Sequence, residues 1–162
     1  MDYEEANNKK RLTPAQAKLK AEHYCAYQER CQQEVRDKLY SWGLYPEAVE
    51  TIIAELILDN FLNEERFAKA YVSGKFTMKG WGKRKIQQGL KQKQVPTRMI
   101  KEALAGIDAT TYYDQLCTIL TKKGRLIKEV DAYKRKAKLA QYAIGRGYES
   151  DLIFDILNNN NL

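Results

Sequence analysis

Histidine is all but missing from this sequence: His23 stands alone in 162 residues, beside three prolines and three cysteines. A single imidazole removes most of the usual acid–base and metal-ligand arrangements. Cys25, Cys31 and Cys117 show no paired metal-ligand spacing. His23, Cys25 and Cys31 could be drawn as part of a zinc site, but a fourth ligand is missing and the segment reads as helix. The odd cysteine count, with no apolar stretch in the polar first dozen residues, predicts reduced, buried or half-buried thiols in a soluble, cytoplasmic protein. No apolar run approaches the roughly 20 residues of a membrane helix, so no membrane partner is expected. There is also no phosphate-binding glycine loop, and no carboxylate pair outside helix-start positions such as Glu64 and Glu65. An enzyme is not expected.

A further absence is local. Residues 66–101 contain no Asp or Glu but eleven Lys or Arg, and Gly80, Trp81 and Gly82 sit at the centre of the stretch. Residues 1–65 are net −5 and residues 102–162 net +1, so the chain's +7 is concentrated in its middle. A localised positive field concentrates polyanions and speeds their encounter, pointing to nucleic acid or a nucleoprotein. A mean hydropathy of −0.63 with 30% charged residues favours small units with much exposed surface over one large core.

Helix signals dominate what is present. The prolines stand where helices begin: Thr13 suits an N-cap before Pro14, and Pro46 and Pro96 open later segments in the same way. Asn63 precedes a helix with Glu64 and Glu65 in its first turn, where acids suit the dipole. Alternation of strand type is weak, so the fold class is all-α. Apolar positions recur at shifts of 51 and about 53 residues: Val35, Leu39, Leu44, Val49, Ile52 and Ile53 fall on Ile86, Leu90, Val95, Ile100, Ala103 and Leu104, then on Leu139, Ala143, Tyr148, Ile153, Ile156 and Leu157. Gly147 matches Gly43 at the turn.

This predicts three tandem three-helix repeats, at 12–60, 61–107 and 108–158, stacked into an elongated, curved array. Helices are expected near 14–29, 32–42 and 46–58; 64–76, 83–93 and 97–105; and 110–123, 132–145 and 150–157. Residues 124–131 read as a loop, and the polar ends, Met1 to Arg11 and Asn158 to Asn161, as fraying.

In the second repeat Lys83, Arg84 and Lys85 occupy the first helical turn, against the dipole, where the first repeat has Gln32, Gln33 and Glu34. That conflict makes sense if an anion binds at the helix end. Trp81 lies five residues before Ile86, the spacing of a hydrophobic staple, and an exposed edge could also stack on a base or fill a pocket. Any single lysine here reads as solvated surface, but a surface built only for solubility intersperses both signs. The expected contact residues for a protein or DNA partner are Arg66, Lys75, Lys79, Trp81, Lys83, Arg84, Lys85, Lys91, Lys93 and Arg98.

The run Phe61, Leu62, Asn63, Glu64, Glu65, Arg66, Phe67, Ala68 with Tyr71 and Val72, then Lys79, Gly80, Trp81, Gly82, then Ile86, Leu90, Lys93 and Val95, resembles the RecX family of regulatory proteins. Arg30, Glu34, Val35, Lys38 and Leu39, with the Arg146, Gly147, Tyr148 turn, extend the resemblance over roughly residues 14–157. It implies a bacterial regulator of DNA recombination, repair and the SOS response. Such a protein lies in the groove of the RecA filament on single-stranded DNA and inhibits RecA ATPase, recombinase and coprotease activities. No cofactor is implied, DNA phosphates are a further contact, and a monomer is expected.

Three positions depart from the family pattern. Cys31 replaces a Ser that would form a capping box with Glu34, predicting a weaker helix start. Gly89 replaces a Glu inside a helix, at about 1 kcal/mol relative to Ala, and Gln94 replaces a turn glycine. A helical module that binds DNA or RNA without RecA is the alternative reading.

Overall fold

The computed structural model describes residues 11–160 and 162. Among these residues it has nine α-helices and no strand: α1 Pro14–Tyr27, α2 Gln32–Ser41, α3 Pro46–Leu58, α4 Glu64–Thr77, α5 Lys83–Gln92, α6 Thr97–Ala105, α7 Ala109–Leu126, α8 Ala132–Gly145 and α9 Ser150–Asn159. By internal contacts the chain divides into two compact units, Met1–Ala68 with Lys93–Val95, and Lys69–Gln92 with Pro96–Leu162. Most of the second repeat therefore shares one unit with the whole of the third.

The repeat is borne out in burial and in backbone. Of the eighteen aligned apolar positions seventeen are buried and Leu104 is half-buried. The three equivalent turn residues all have positive φ: Gly43 at 84°, Gln94 at 60° and Gly147 at 99°. A turn that reverses the chain between the second and third helices needs a left-handed residue there, which glycine adopts without steric cost.

In the first unit, α1 starts as expected: Thr13 Oγ1 accepts Gln16 N–H, and Gln16 returns the bond to Thr13 N–H. The helix stops at Tyr27, two residues early, because Gln28 turns extended. The α2 start has a sulfur N-cap, Cys31 Sγ accepting Glu34 N–H at 3.4 Å, and the Cys31 thiol itself donates to Glu34 Oε1 at 3.4 Å, a side-chain pair in place of the reciprocal backbone bond of a capping box. Burial pushes the thiols of Cys25 and Cys31 up to about 11 and about 12, so both stay protonated and inert. Arg11, expected to fray, instead hydrogen-bonds Tyr45 Oη at 3.1 Å and lies over its ring. The other residues of the expected N-terminal fray, Met1 to Lys10, lie outside the described residues, as does Asn161.

Glu64 is more than a first-turn acid. It is buried, and its carboxylate accepts Gln32 N–H at 3.0 Å, capping α2 from the start of α4. Burial raises its pKa, against the lowering influence of that bond and of Arg36.

The second unit departs from expectation at three helix ends. Pro96 takes the N-cap position of α6, with Thr97 as the first helical residue. Helix α7 continues past the expected stop at 123 to Leu126, with Gly124 buried inside it. Arg135 explains this extension: its guanidinium donates to Gly124 O, and to Ile127 O at 3.0 Å, satisfying carbonyls at the helix end. Helix α9 takes Asn158 and Asn159 into its last turn.

Candidate polyanion interface

The centre of the acid-free stretch is the connection between α4 and α5. Its backbone folds back on α4 through Gly80 N–H to Phe76 O at 3.2 Å and Trp81 N–H to Lys75 O at 3.0 Å, with Gly80 at φ 68°. Residues from the third repeat then fix it. Gln115 donates to Phe76 O at 2.8 Å and to Tyr148 Oη at 3.1 Å, and Tyr148 donates on to Gly80 O at 3.1 Å. Arg146 donates to Lys79 O. Phe76, Tyr112 and Tyr148 stack beneath, with successive ring centroids 5.9 and 5.2 Å apart.

The α5 start is pinned by the same repeat. Gly82 N–H donates to Arg146 O at 2.8 Å and Arg84 N–H to Gly147 O at 2.9 Å. A Cβ on Gly82 would collide with the Gly147 backbone, so glycine is required at this approach. Lys83 N–H donates to Tyr112 Oη at 3.0 Å, and Tyr112 donates to Glu149 Oε1 at 2.7 Å. Burial, aided by Glu149, raises the Tyr112 pKa and keeps the hydroxyl protonated.

These bonds leave less of the helix end open to the anion expected there. The Lys83 and Arg84 N–H groups are already used, and the Glu149 carboxylate behind Tyr112 offsets the dipole that the three cations oppose. Anion contacts at this helix start then fall mainly to the side chains.

The side chains of this loop gather on aromatic faces. Lys75 Nζ lies 4.7 Å and Lys85 Nζ 4.4 Å from the Trp81 ring centroid, and Lys75 also lies 5.4 Å from that of Tyr71. Lys83 Nζ is 4.8 Å from the Tyr112 centroid. Lys79 and Arg84 are exposed beside them, and Trp81 is half-buried. Lys75, Lys79, Trp81, Lys83, Arg84 and Lys85 are thus brought into one loop and helix start, with Lys91 exposed on α5.

The remaining expected contacts are engaged elsewhere. Arg66 has a structural role: its guanidinium donates to Glu29 Oε1 at 2.5 Å, Asn60 Oδ1 at 3.1 Å, Asn60 O at 3.2 Å and Phe61 O at 3.4 Å, so it closes the α3–α4 connection. Lys93 pairs with Glu34 Oε1 at 3.2 Å, and Arg98 with Glu102 at 3.0 Å on the exposed face of α6. Sequence reasoning missed the supports Tyr112, Gln115 and Glu149. They lie 29 to 39 residues from their partners, where no periodicity signals them.

Comparison with known proteins matches three family models in order along the chain. They are described as the first, second and third three-helix domains of RecX and span residues 17–56, 63–104 and 110–157. The chain belongs to the RecX family. Its RecX relatives include a "Regulatory protein RecX" of Clostridium botulinum (strain Alaska E43 / Type E3), 33% identical over 130 residues, 79% of this chain and 60% of that protein. Another, from Prosthecochloris aestuarii, is 30% identical over 135 residues, 83% of this chain and 87% of the relative. The chain spans 58 to 60% of the length of the clostridial relatives. The crystal structure of RecX from Lactobacillus salivarius superposes with a TM-score of 0.82 at 23% identity, over 90% of this chain and 95% of that one, and shows the same fold. These relatives are named regulatory proteins. No helix among the described residues is long and apolar enough to cross a membrane.

Proposed function

We propose that this RecX-family chain is a non-enzymatic regulator that binds the RecA filament on single-stranded DNA and inhibits its ATPase, recombinase and coprotease activities. The observation that carries the reading is the rigid loop of the second repeat. Five cations within eleven residues, Lys75 to Lys85, surround Trp81 without one carboxylate among them. The third repeat holds this loop at its backbone, so the cations are presented from a fixed frame and less ordering entropy is lost on binding. Lysines resting on ring faces remain open to phosphate or carboxylate groups on their outer side.

The test is a titration of RecA ATPase on single-stranded DNA with this protein, beside a gel shift on DNA alone. Inhibition at amounts well below the RecA concentration, with weak binding to bare DNA, supports the proposal. Tight, steeply salt-dependent binding to bare DNA with no effect on RecA supports instead a nucleic-acid module acting by itself.

A further inference from the structure

We infer that the α7–α8 connection is a second docking surface, shaped for an acidic protein face with an apolar depression, and that on the proposed RecA filament it meets protein instead of DNA. This rests on the functional reading above but uses residues outside the basic loop. Residues 122–138 hold eight cations and two acids. Both acids are committed within the connection. Asp131 Oδ2 caps α8 by accepting Lys134 N–H at 2.9 Å, and Glu129 accepts Asp131 N–H at 3.3 Å and pairs with Lys138 at 3.1 Å. Several cations are committed too: Arg135 to backbone carbonyls, Lys136 to Asn158 at 2.9 Å, and Lys123 over the Tyr142 ring at 4.6 Å. Lys122, Arg125, Lys128 and Lys134 are left exposed, with no partner among the described residues.

Between these four cations stand Leu126, Val130 and Tyr133, which are 74%, 92% and 83% exposed. Arg135 ties the connection to Gly124 and Ile127, so the three apolar side chains project from a held backbone. Exposed apolar side chains interleaved with charged ones along one connection are the make-up of a protein–protein contact, with tyrosine and arginine its frequent anchors. Nucleic acid fits less well: two of the three apolar groups are aliphatic and give no ring for base stacking. The unpaired charges of the connection are all positive, so the complementary face carries carboxylates.

The experiment compares the full chain with a variant carrying Leu126→Ser, Val130→Ser and Tyr133→Ser, and another carrying Lys122→Gln, Arg125→Gln, Lys128→Gln and Lys134→Gln. Three probes are used: RecA–single-stranded DNA filaments, bare single-stranded DNA, and phosphatidylserine/phosphatidylcholine vesicles. The expected result is about a tenfold or greater loss of filament affinity in the serine variant with bare-DNA affinity unchanged. The glutamine variant should associate with filaments more slowly and with a weaker salt dependence, the cations of the basic loop being intact. Unchanged filament affinity in both variants overturns the inference. So does a parallel loss of bare-DNA binding, which marks a nucleic-acid surface, or vesicle binding that the serine variant abolishes. If the unaltered chain does not bind filaments, the functional reading fails first and this inference falls with it.

Discussion

The Tyr112 hydroxyl donates to Glu149 Oε1 at 2.7 Å while its own oxygen accepts Lys83 N–H at 3.0 Å. One buried phenol thus carries the electrostatic compensation for a helix that starts with three cations. It explains how a sequence that violates helix-dipole preference can still fold: the carboxylate that the first turn of α5 lacks is supplied from the start of α9.

Replacing Tyr112 with Phe removes this relay while keeping the ring stack with Phe76 and Tyr148. Leaving a backbone N–H and a carboxylate without their shared partner should cost about 1–3 kcal/mol in chemical denaturation, with helicity of the folded protein retained. Unchanged stability would show that water replaces the hydroxyl and that the relay is incidental.

Two glycines should respond in opposite directions. Gly82→Ala drives a Cβ into the Gly147 backbone, which has no rotamer with which to yield, and overpacking of this kind costs about 1–3 kcal/mol. Gly74, within α4, has open space around its Cβ position, so Gly74→Ala should stabilise by about 0.5–1 kcal/mol through helix propensity. Thermal melts of the two variants check the contrast.

Gln94 holds the left-handed turn position that glycine occupies in the other two repeats, with φ 60°. Gln94→Gly should gain up to about 1 kcal/mol, set by the steric penalty that L residues pay in this region. A loss measured by urea denaturation would mean that the side chain makes a compensating contact.

Glu64 gives a pH-dependent prediction. Burial raises its folded pKa above the unfolded value, so the folded state holds the proton more tightly. Its contribution to stability is then largest at low pH and is lost as pH rises through the folded pKa. Glu64→Gln keeps an acceptor for Gln32 N–H without the buried charge, and should be at least as stable as the parent at pH 7 with this pH dependence removed. Glu64→Ala should lose about 1 kcal/mol as the α2 cap disappears. Denaturation curves across pH 4–8 test both variants.

Much of the fold was legible because local chemistry and tertiary structure agree. Thr13 and Pro14 start α1 as their types require, and the buried faces follow the 51- and 53-residue shifts. What was not legible depended on long-range partners. Arg135 extends α7 by satisfying carbonyls near its end, so the loop expected from residue 124 begins later. Gly89 looked like a helix-weakening replacement, yet a Cβ there would clash with the Tyr71 hydroxyl, so its smallness fits a packing contact. In the candidate site the cations could be read from composition and Trp81 from its flanking glycines. That Arg66 would be spent on Glu29, and that Tyr112 would satisfy Lys83, lay outside any local pattern.

The central claim is that the cations around Trp81 carry regulation of RecA. The most direct measurement is RecA ATPase on single-stranded DNA in the presence of the Lys79→Glu, Arg84→Glu, Lys85→Glu variant. Lys79 and Arg84 are exposed, and acids in the first turn of α5 agree with its dipole, so the fold should persist. The parent chain should inhibit and the variant should not, at unchanged helicity; equal inhibition by both would rule out this role for the basic loop.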